Sequence, residues 1–308
     1  MVAVVITWNP DIKAFSAALS SYADTCRVVI VDNASDAAIV ASLRAAVSAN
    51  CVLVEQTANL GIAAALNNGI DVGRRWDPKH YLLLDQDSVL ESHALLRLLQ
   101  AKERLVAQGE RYPVVGPMPV SGEDDKPIGM YRTLSVLADG SAPRRVESLY
   151  TSGMLVPSEL ALKARQLDSF FIDYVDTEWC YRARALFGAG IYLVADAKLF
   201  HKVGESELDL RQLRSQPLIV HRPLRQYFQF RNALWMLRLT YIPLPDRIKI
   251  AARCLARVVM ITFAVSPRRQ RMRYVMAALF DGIRGKAGNY AFLPGASRSR
   301  RLQERKER

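Results

Sequence analysis

The hydrophobic positions of the first hundred residues fall into short runs separated by amphipathic stretches. Val2–Thr7, Arg27–Val31 (ending at Asp32), Cys51–Glu55 and Tyr81–Leu84 are rich in Val, Ile and Leu. Their shortness and β-branched content predict buried strands. Between them, Asp11–Tyr22, Asp36–Ala49 and Ile62–Arg74 repeat apolar residues at helical spacing. Strand and helix in alternation predict an α/β fold, a mostly parallel sheet with helices on both faces. After the fourth strand a helix is expected from about Val89 to Leu105, capped by Asp87 or Ser88. Residues 119–147 are richer in Gly, Pro and charge and predict a long loop or hairpin insertion. Thr151–Pro157 reads as a loop entering a strand, Asp176–Leu186 as a helix and Ile191–Val194 as a short strand. Arg247–Val265 is again helical in pattern, and the polar stretch Arg298–Arg308 is expected to be disordered.

Charge divides the chain. Residues 1–200 hold 19 Lys/Arg against 23 Asp/Glu, a net of −4, whereas residues 201–308 hold 23 against 7, a net of +16. A mildly acidic body and a strongly basic tail point to an anionic partner for the tail. The expected organisation is a catalytic domain over 1–240, a basic amphipathic helical tail over 241–296 and disorder over 297–308. Lys249, Arg253 and Arg257 share one helix face, Ile250, Cys254, Val258 and Ile261 lie beside it, and Arg268, Arg269, Arg271 and Arg273 follow. That pattern fits a helix lying on an anionic membrane surface, or an ordinary solvated face. The charge-free stretch Val258–Ser266 there is nine residues, far short of the roughly 20 that cross a bilayer. The four cysteines are widely spaced and form no zinc pattern, which suits a reduced cytoplasmic setting. The start of the chain reads as a first strand and not as a signal peptide.

Ligands of α/β sheets gather in the loops beyond the carboxyl ends of the strands. Here those loops are Thr7-Trp8-Asn9-Pro10, Asp32-Asn33-Ala34-Ser35, Asn59-Leu60-Gly61 and Asp85-Gln86-Asp87. They contain neither GxGxxG nor GxxxxGK[ST], which argues against a nicotinamide or P-loop nucleotide site. Two carboxylates two residues apart at a strand end suit a hard divalent cation that also takes phosphate oxygens. The plainer reading of the same residues is a helix start.

Taken in order, these segments resemble the inverting glycosyltransferases of family 2, which have a GT-A fold. The resemblance runs from Val4 to about Asn232. It is carried by Val5-Ile6-Thr7-Trp8-Asn9-Pro10, Val29–Ser35, Asn59–Ile70 and Leu84–Ser88, then by Ser152-Gly153, Phe171–Arg182, His201–Gly204 and Tyr227–Asn232. Within the family, the Asn-Leu-Gly-Ile-Ala run, the Leu-Asp-Gln-Asp-Ser strand end and the Asp-Thr-Glu-Trp-Cys block look most like the rhamnosyltransferase branch.

The resemblance implies a set of roles. Asp32 would accept a hydrogen bond from the N3–H of a pyrimidine base, with Thr7 edging the pocket. Asn59 and Gly61 would lie where backbone passes close to the nucleotide, Asp85 would hold the ribose, and Ser152 would join the nucleotide-sugar site. Asp87 and His201 would hold Mg²⁺ or Mn²⁺ across the diphosphate. Asp176 would be the catalytic base, with Glu178 and Asp173 as alternatives, because Val175 stands where the family commonly has Glu. Arg231 would neutralise charge growing on the leaving group. The implied partners are a nucleotide-sugar donor (dTDP-L-rhamnose), a lipid-linked glycan acceptor and an anionic membrane surface, with no nucleic acid expected. The implied location is the cytoplasmic face of a bacterial cell membrane. Open alternatives are a UDP-sugar donor, a nucleic-acid-binding protein using the basic tail, and a membrane-associated scaffold.

Overall fold

The structure is a computed structural model that describes residues 1–121, 126–128, 131, 133–136, 143–200, 207–208, 218–219, 223–264 and 266–287. The chain divides into two compact units, Met1–Asp168 with Val175–Gly204, and Ser169–Tyr174 with Glu205–Arg308.

The first unit runs β1 (Val2–Thr7), α1 (Ile12–Ser20), β2 (Arg27–Asp32), α2 (Ala37–Ala46), β3 (Cys51–Glu55), α3 (Ile62–Gly73), β4 (His80–Asp85), β5 (Val89–Leu90) and α4 (Ala94–Ala107). It continues with β6 (Pro113–Val120), β7 (Thr133–Val136), β8 (Arg144–Val146), β9 (Met154–Pro157), α5 (Ser158–Lys163), α6 (Val175–Phe187) and β10 (Gly190–Phe200). One sheet has the order β3-β2-β1-β4-β9-β6-β10-β8-β7, with β5 on β10. The four strands expected from the sequence pair in parallel. β9 then runs antiparallel between β4 and β6, and β10 is parallel to β6.

The continuous apolar runs follow from burial on both faces. Val2, Val4 and Ile6 of β1 enter one core with Leu66 and Ile70 of α3, while Ala3 and Val5 enter the other with Phe15 of α1 and Leu98 of α4. α3 lies close to the sheet because it is lined with small residues. A Cβ on Gly69 would stand 2.3 Å from Val4 Cγ1, and one on Gly73 2.9 Å from Val2 Cγ1.

Two expectations are corrected. The helix expected from Val89 starts at Ala94, because Val89 and Leu90 pair with Phe200 and Leu199 as an edge strand. The short strand expected at Ile191–Val194 extends over Gly190–Phe200, since β6, β8 and β5 all pair along it.

The second unit holds α7 (Pro223–Met236), α8 (Leu244–Ala264) and α9 (Arg268–Arg284). Tyr227, Phe228 and Phe230 of α7 pack with Val275 and Ala278 of α9, and Cys254 and Val258 of α8 join them. A boundary at residue 240 therefore falls inside a compact unit: the apolar face of α7 is covered by the helices that follow it. Among the described residues no helix is long and apolar enough to cross a membrane. His201 and residues 297–308 lie outside the described residues.

Candidate active site

Parallel register aligns the strand ends. Thr7 lies opposite Asp32, Asp32 opposite Glu55, and Ile6 opposite Asp85, so Thr7, Asp32 and Asp85 share one edge of the sheet. Asp32 is buried, and a buried carboxylate needs donors. It accepts from Thr7 Oγ1 (3.0 Å) and Ser35 Oγ (2.5 Å) on Oδ1, and from the Ser35 amide (2.9 Å) on Oδ2. A carboxylate has about four acceptor positions, so its ring of donors leaves capacity for another N–H.

The loops are tied to one another by short polar side chains. Asn33 Nδ2 donates to Asn59 Oδ1 (2.9 Å), and Asn33 Oδ1 accepts from the Leu60 amide (2.9 Å). Asn59 Oδ1 also accepts from the Gly61 amide (3.0 Å). Gly61 has φ 89° at the start of α3, a conformation that suits Gly and strains other residues. The Asn9 amide donates to Ser35 Oγ (2.7 Å) and the Asp36 amide to Asn9 Oδ1 (2.8 Å). The Trp8 amide donates to Gln86 Oε1 (2.8 Å). Asn9, Asn33, Ser35 and Gln86 were given no nucleotide-sugar role from the sequence. Their signal was position alone, one to three residues beyond a strand end.

Asp85 and Ser152 come together: Ser152 Oγ donates to Asp85 Oδ2 (2.5 Å), and Ser88 Oγ to Ser152 Oγ (3.0 Å). Gly153 lets Ser152 approach, since its φ is 83° and a Cβ there would stand 2.4 Å from Pro117 Cγ. Asp87, two residues past Asp85, is half-buried. Among the described residues no group of three or more His, Cys, Asp or Glu side chains gathers as a metal cage. One or two carboxylates fit a Mg²⁺ or Mn²⁺ that takes its remaining ligands from phosphate and water.

Asp176 stands in the first turn of α6, half-buried, and Oδ1 accepts from the Thr177 amide (2.6 Å) and Thr177 Oγ1 (3.2 Å). Burial first, then the charges of Tyr150 and Asp176, raise the Tyr131 hydroxyl well above its ordinary range. The alternative bases are otherwise engaged. Glu178 is buried against Arg182, which donates to it through Nε (2.6 Å) and Nη2 (3.0 Å). Asp173 pairs with Arg225 (3.2 Å).

Arg231 is corrected from its expected place at a leaving group. It is fully buried in the second unit, its guanidinium 4.4–5.5 Å from the ring centres of Tyr227, Phe228 and Trp235. It donates to the carbonyls of Ser169 (3.0 Å) and Phe170 (3.3 Å) and to Asn232 Oδ1 (2.9 Å). A guanidinium only donates, so the Asn232 amide must turn its oxygen to Arg231 and its Nδ2 away. Nδ2 donates to Phe170, Ile172 and Asp173 carbonyls, each at 2.8 Å. Phe171, Asp173 and Tyr174 in that loop have positive φ of 58–64°.

Residues 4–140 match the family model described as Glycosyl transferase family 2. A curated relative, the dTDP-rhamnosyl transferase RfbF of Shigella flexneri, is 26 % identical over 296 residues, 93 % of this chain and 96 % of its own. Among solved structures, residues 1–349 of S. aureus TarS with UDP-GlcNAc superpose with a TM-score of 0.53 at 15 % identity, over 92 % of this chain and 80 % of that one. GalNAc-T7 with UDP, GalNAc and Mn²⁺ gives 0.53 at 12 % identity, over 85 % and 56 %.

Proposed function

We propose that this glycosyltransferase, matched by the family 2 model over residues 4–140, transfers L-rhamnose, with inversion, from dTDP-β-L-rhamnose to a lipid-linked glycan of a bacterial cell-surface polysaccharide. The donor assignment rests on the relative named a dTDP-rhamnosyl transferase, whose length this chain matches nearly end to end. The observation that carries the site is the alignment of Thr7, Asp32 and Asp85 on one sheet edge.

In this reading Asp32 accepts the thymine N3–H, and Thr7 holds the carboxylate from the side. Asn59 and Gly61 shape the loop that passes the nucleotide. Asp85, steadied by Ser152, takes a sugar hydroxyl of the nucleoside. Asp176 removes the proton of the acceptor hydroxyl as that oxygen bonds to the anomeric carbon. The bond from that carbon to the diphosphate oxygen breaks, dTDP departs with the electron pair, and one displacement inverts β to α. Asp87, with His201 as a second ligand, would hold a Mg²⁺ or Mn²⁺, which would supply neutralising charge to the diphosphate. Arg231 acts through the loop that it holds and not at the diphosphate. The net charge of +16 beyond residue 200 draws the enzyme to the anionic inner face of the cell membrane, where a polyprenyl-linked acceptor resides.

The test is turnover by the purified chain of dTDP-rhamnose and a panel of UDP-sugars, with Mn²⁺, Mg²⁺ or EDTA, and bacterial lipid-linked glycans as acceptor. Release of dTDP from dTDP-rhamnose alone is the expected result. Turnover of a UDP-sugar instead keeps the mechanism and overturns the donor.

A further inference from the structure

The sequence suggested that Ile250, Cys254 and Val258 form the apolar side of a surface helix. In the structure that side faces inward: Ile250 is buried, and Cys254 and Val258 pack against the core of the second unit. Arg257 also turns inward, donating to Gln229 Oε1 (3.0 Å). α8 carries a second apolar face, which points out. Leu244, Ile248, Leu255 and Val259 are each 50–67 % exposed. At 3.6 residues per turn they fall within an arc of about 60°. α9 repeats the pattern, with Met276, Phe280 and Ile283 52–65 % exposed. Half of the exposed large hydrophobic side chains among the described residues lie on these two helices. Stripes of this kind mark an interaction surface.

The charges around the stripes identify what covers them. Arg269 and Arg273 continue the α9 stripe toward its amino end, and Arg284 closes it with its guanidinium 3.7 Å from the Phe280 ring centre. Lys249 and Arg253 are exposed on α8 beyond its stripe. The two acids of these helices turn away. Asp246 is buried beside Lys249 (3.2 Å), and Asp281 is buried beneath the Tyr227 hydroxyl (2.7 Å). The outward surfaces are therefore apolar and cationic with no exposed acid. A second copy of the chain would oppose like charge with like, whereas anionic lipid satisfies both features at once.

We infer that the outward stripes of α8 and α9 insert into the headgroup–acyl boundary of an anionic bilayer, each helix lying in the membrane plane. This deepens the proposed membrane association, changing it from attraction by charge alone to attraction followed by apolar insertion. The two can be separated by salt, which screens surface charge and leaves apolar burial intact.

The experiment is co-sedimentation of the full chain with phosphatidylcholine vesicles containing about 30 % phosphatidylglycerol, at low salt and at about 0.5 M NaCl. The expected result is binding that survives in part at high salt. The pair Leu255→Ser and Phe280→Ser is expected to lower the affinity by about tenfold or more and to abolish the salt-resistant fraction. Both positions are exposed, so the variant stays folded, and circular dichroism checks that it does. Salt-resistant binding that the pair leaves unchanged overturns the inference. So does concentration-dependent dimerisation that the pair disperses while vesicles fail to bind, because the stripes then join two copies. Donor turnover in detergent is read in parallel. If vesicle binding fails and turnover persists, only the insertion falls; if turnover fails and insertion persists, only the donor reading falls.

Discussion

The two units stabilise irregular backbone by different means. In the first, the loops bearing Thr7, Asp32, Asn59 and Asp85 leave one edge of a sheet whose ladders already fix their starting points. Short side chains then tie loop to loop: Asn33 to Asn59, Asn9 to Ser35 and Trp8 to Gln86. In the second, Ser169–Tyr174 has no ladder of its own. Three of its non-glycine residues sit at positive φ, at roughly 1–3 kcal/mol each. Such a loop persists only where its surroundings over-determine it, and α7 supplies that with a buried Arg231 and Asn232 on four successive and near-successive carbonyls. A sheet edge can therefore present polar groups to a ligand, while a clamped loop uses its polar groups on itself. That contrast explains why Arg231, which looked like a ligand for phosphate, is a brace.

The sharpest way to test this contrast is to remove chemistry without removing structure. Asp176→Asn is expected to lower transfer by about 10²–10⁴-fold with an unchanged melting temperature and unchanged donor affinity by calorimetry. Retained turnover would move the base elsewhere. Asp87→Ala is expected to abolish the part of donor affinity that depends on Mn²⁺ while leaving the fold intact; titrations with and without EDTA measure it, and equal affinities would remove Asp87 from the metal site. On the other side of the contrast, Asn232→Asp replaces the amide donor by a carboxylate facing three carbonyls. It is expected to destabilise the chain by about 2–4 kcal/mol, read by urea unfolding. A full-strength protein would show that the loop needs no brace.

Smaller effects are expected where the sheet does the holding. Asn33→Ala removes one loop-to-loop tie and is expected to cost about 1–2 kcal/mol, with a loss of donor affinity larger than the loss of stability. The reverse ranking would make Asn33 a structural residue only. The smallest effect concerns His80 at the start of β4. Burial first, then the charge of Lys102, pushes its imidazole down to about 4 from 6.5. The unfolded chain binds the proton more readily, so stability present above pH 6.5 is lost as pH falls through that window toward 4. His80→Gln is expected to flatten that acid slope, measured as midpoint against pH; an unaltered slope would assign it to other groups.

The alternation of strands and helices, the strand-end carboxylates and the basic character of the second half were legible in the sequence, because they depend on local pattern and composition. The first four strands lie where their apolar runs place them, and in β1, β2 and β4 burial is written directly into successive residues. Val89 and Leu90 were not legible: they are a strand only because Leu199 and Phe200 lie beside them, and pairing across more than a hundred residues leaves no local trace. The same limit applies to Arg231 and to α8. An arginine in a helix reads alike whether it meets phosphate or a buried carbonyl, and a helix apolar on two sides does not announce which side is inward. Sequence by itself determined which residues are polar, apolar or charged and how they recur. Tertiary structure decided which of them face each other, because burial and hydrogen-bond partners belong to neighbours in space and not to neighbours along the chain.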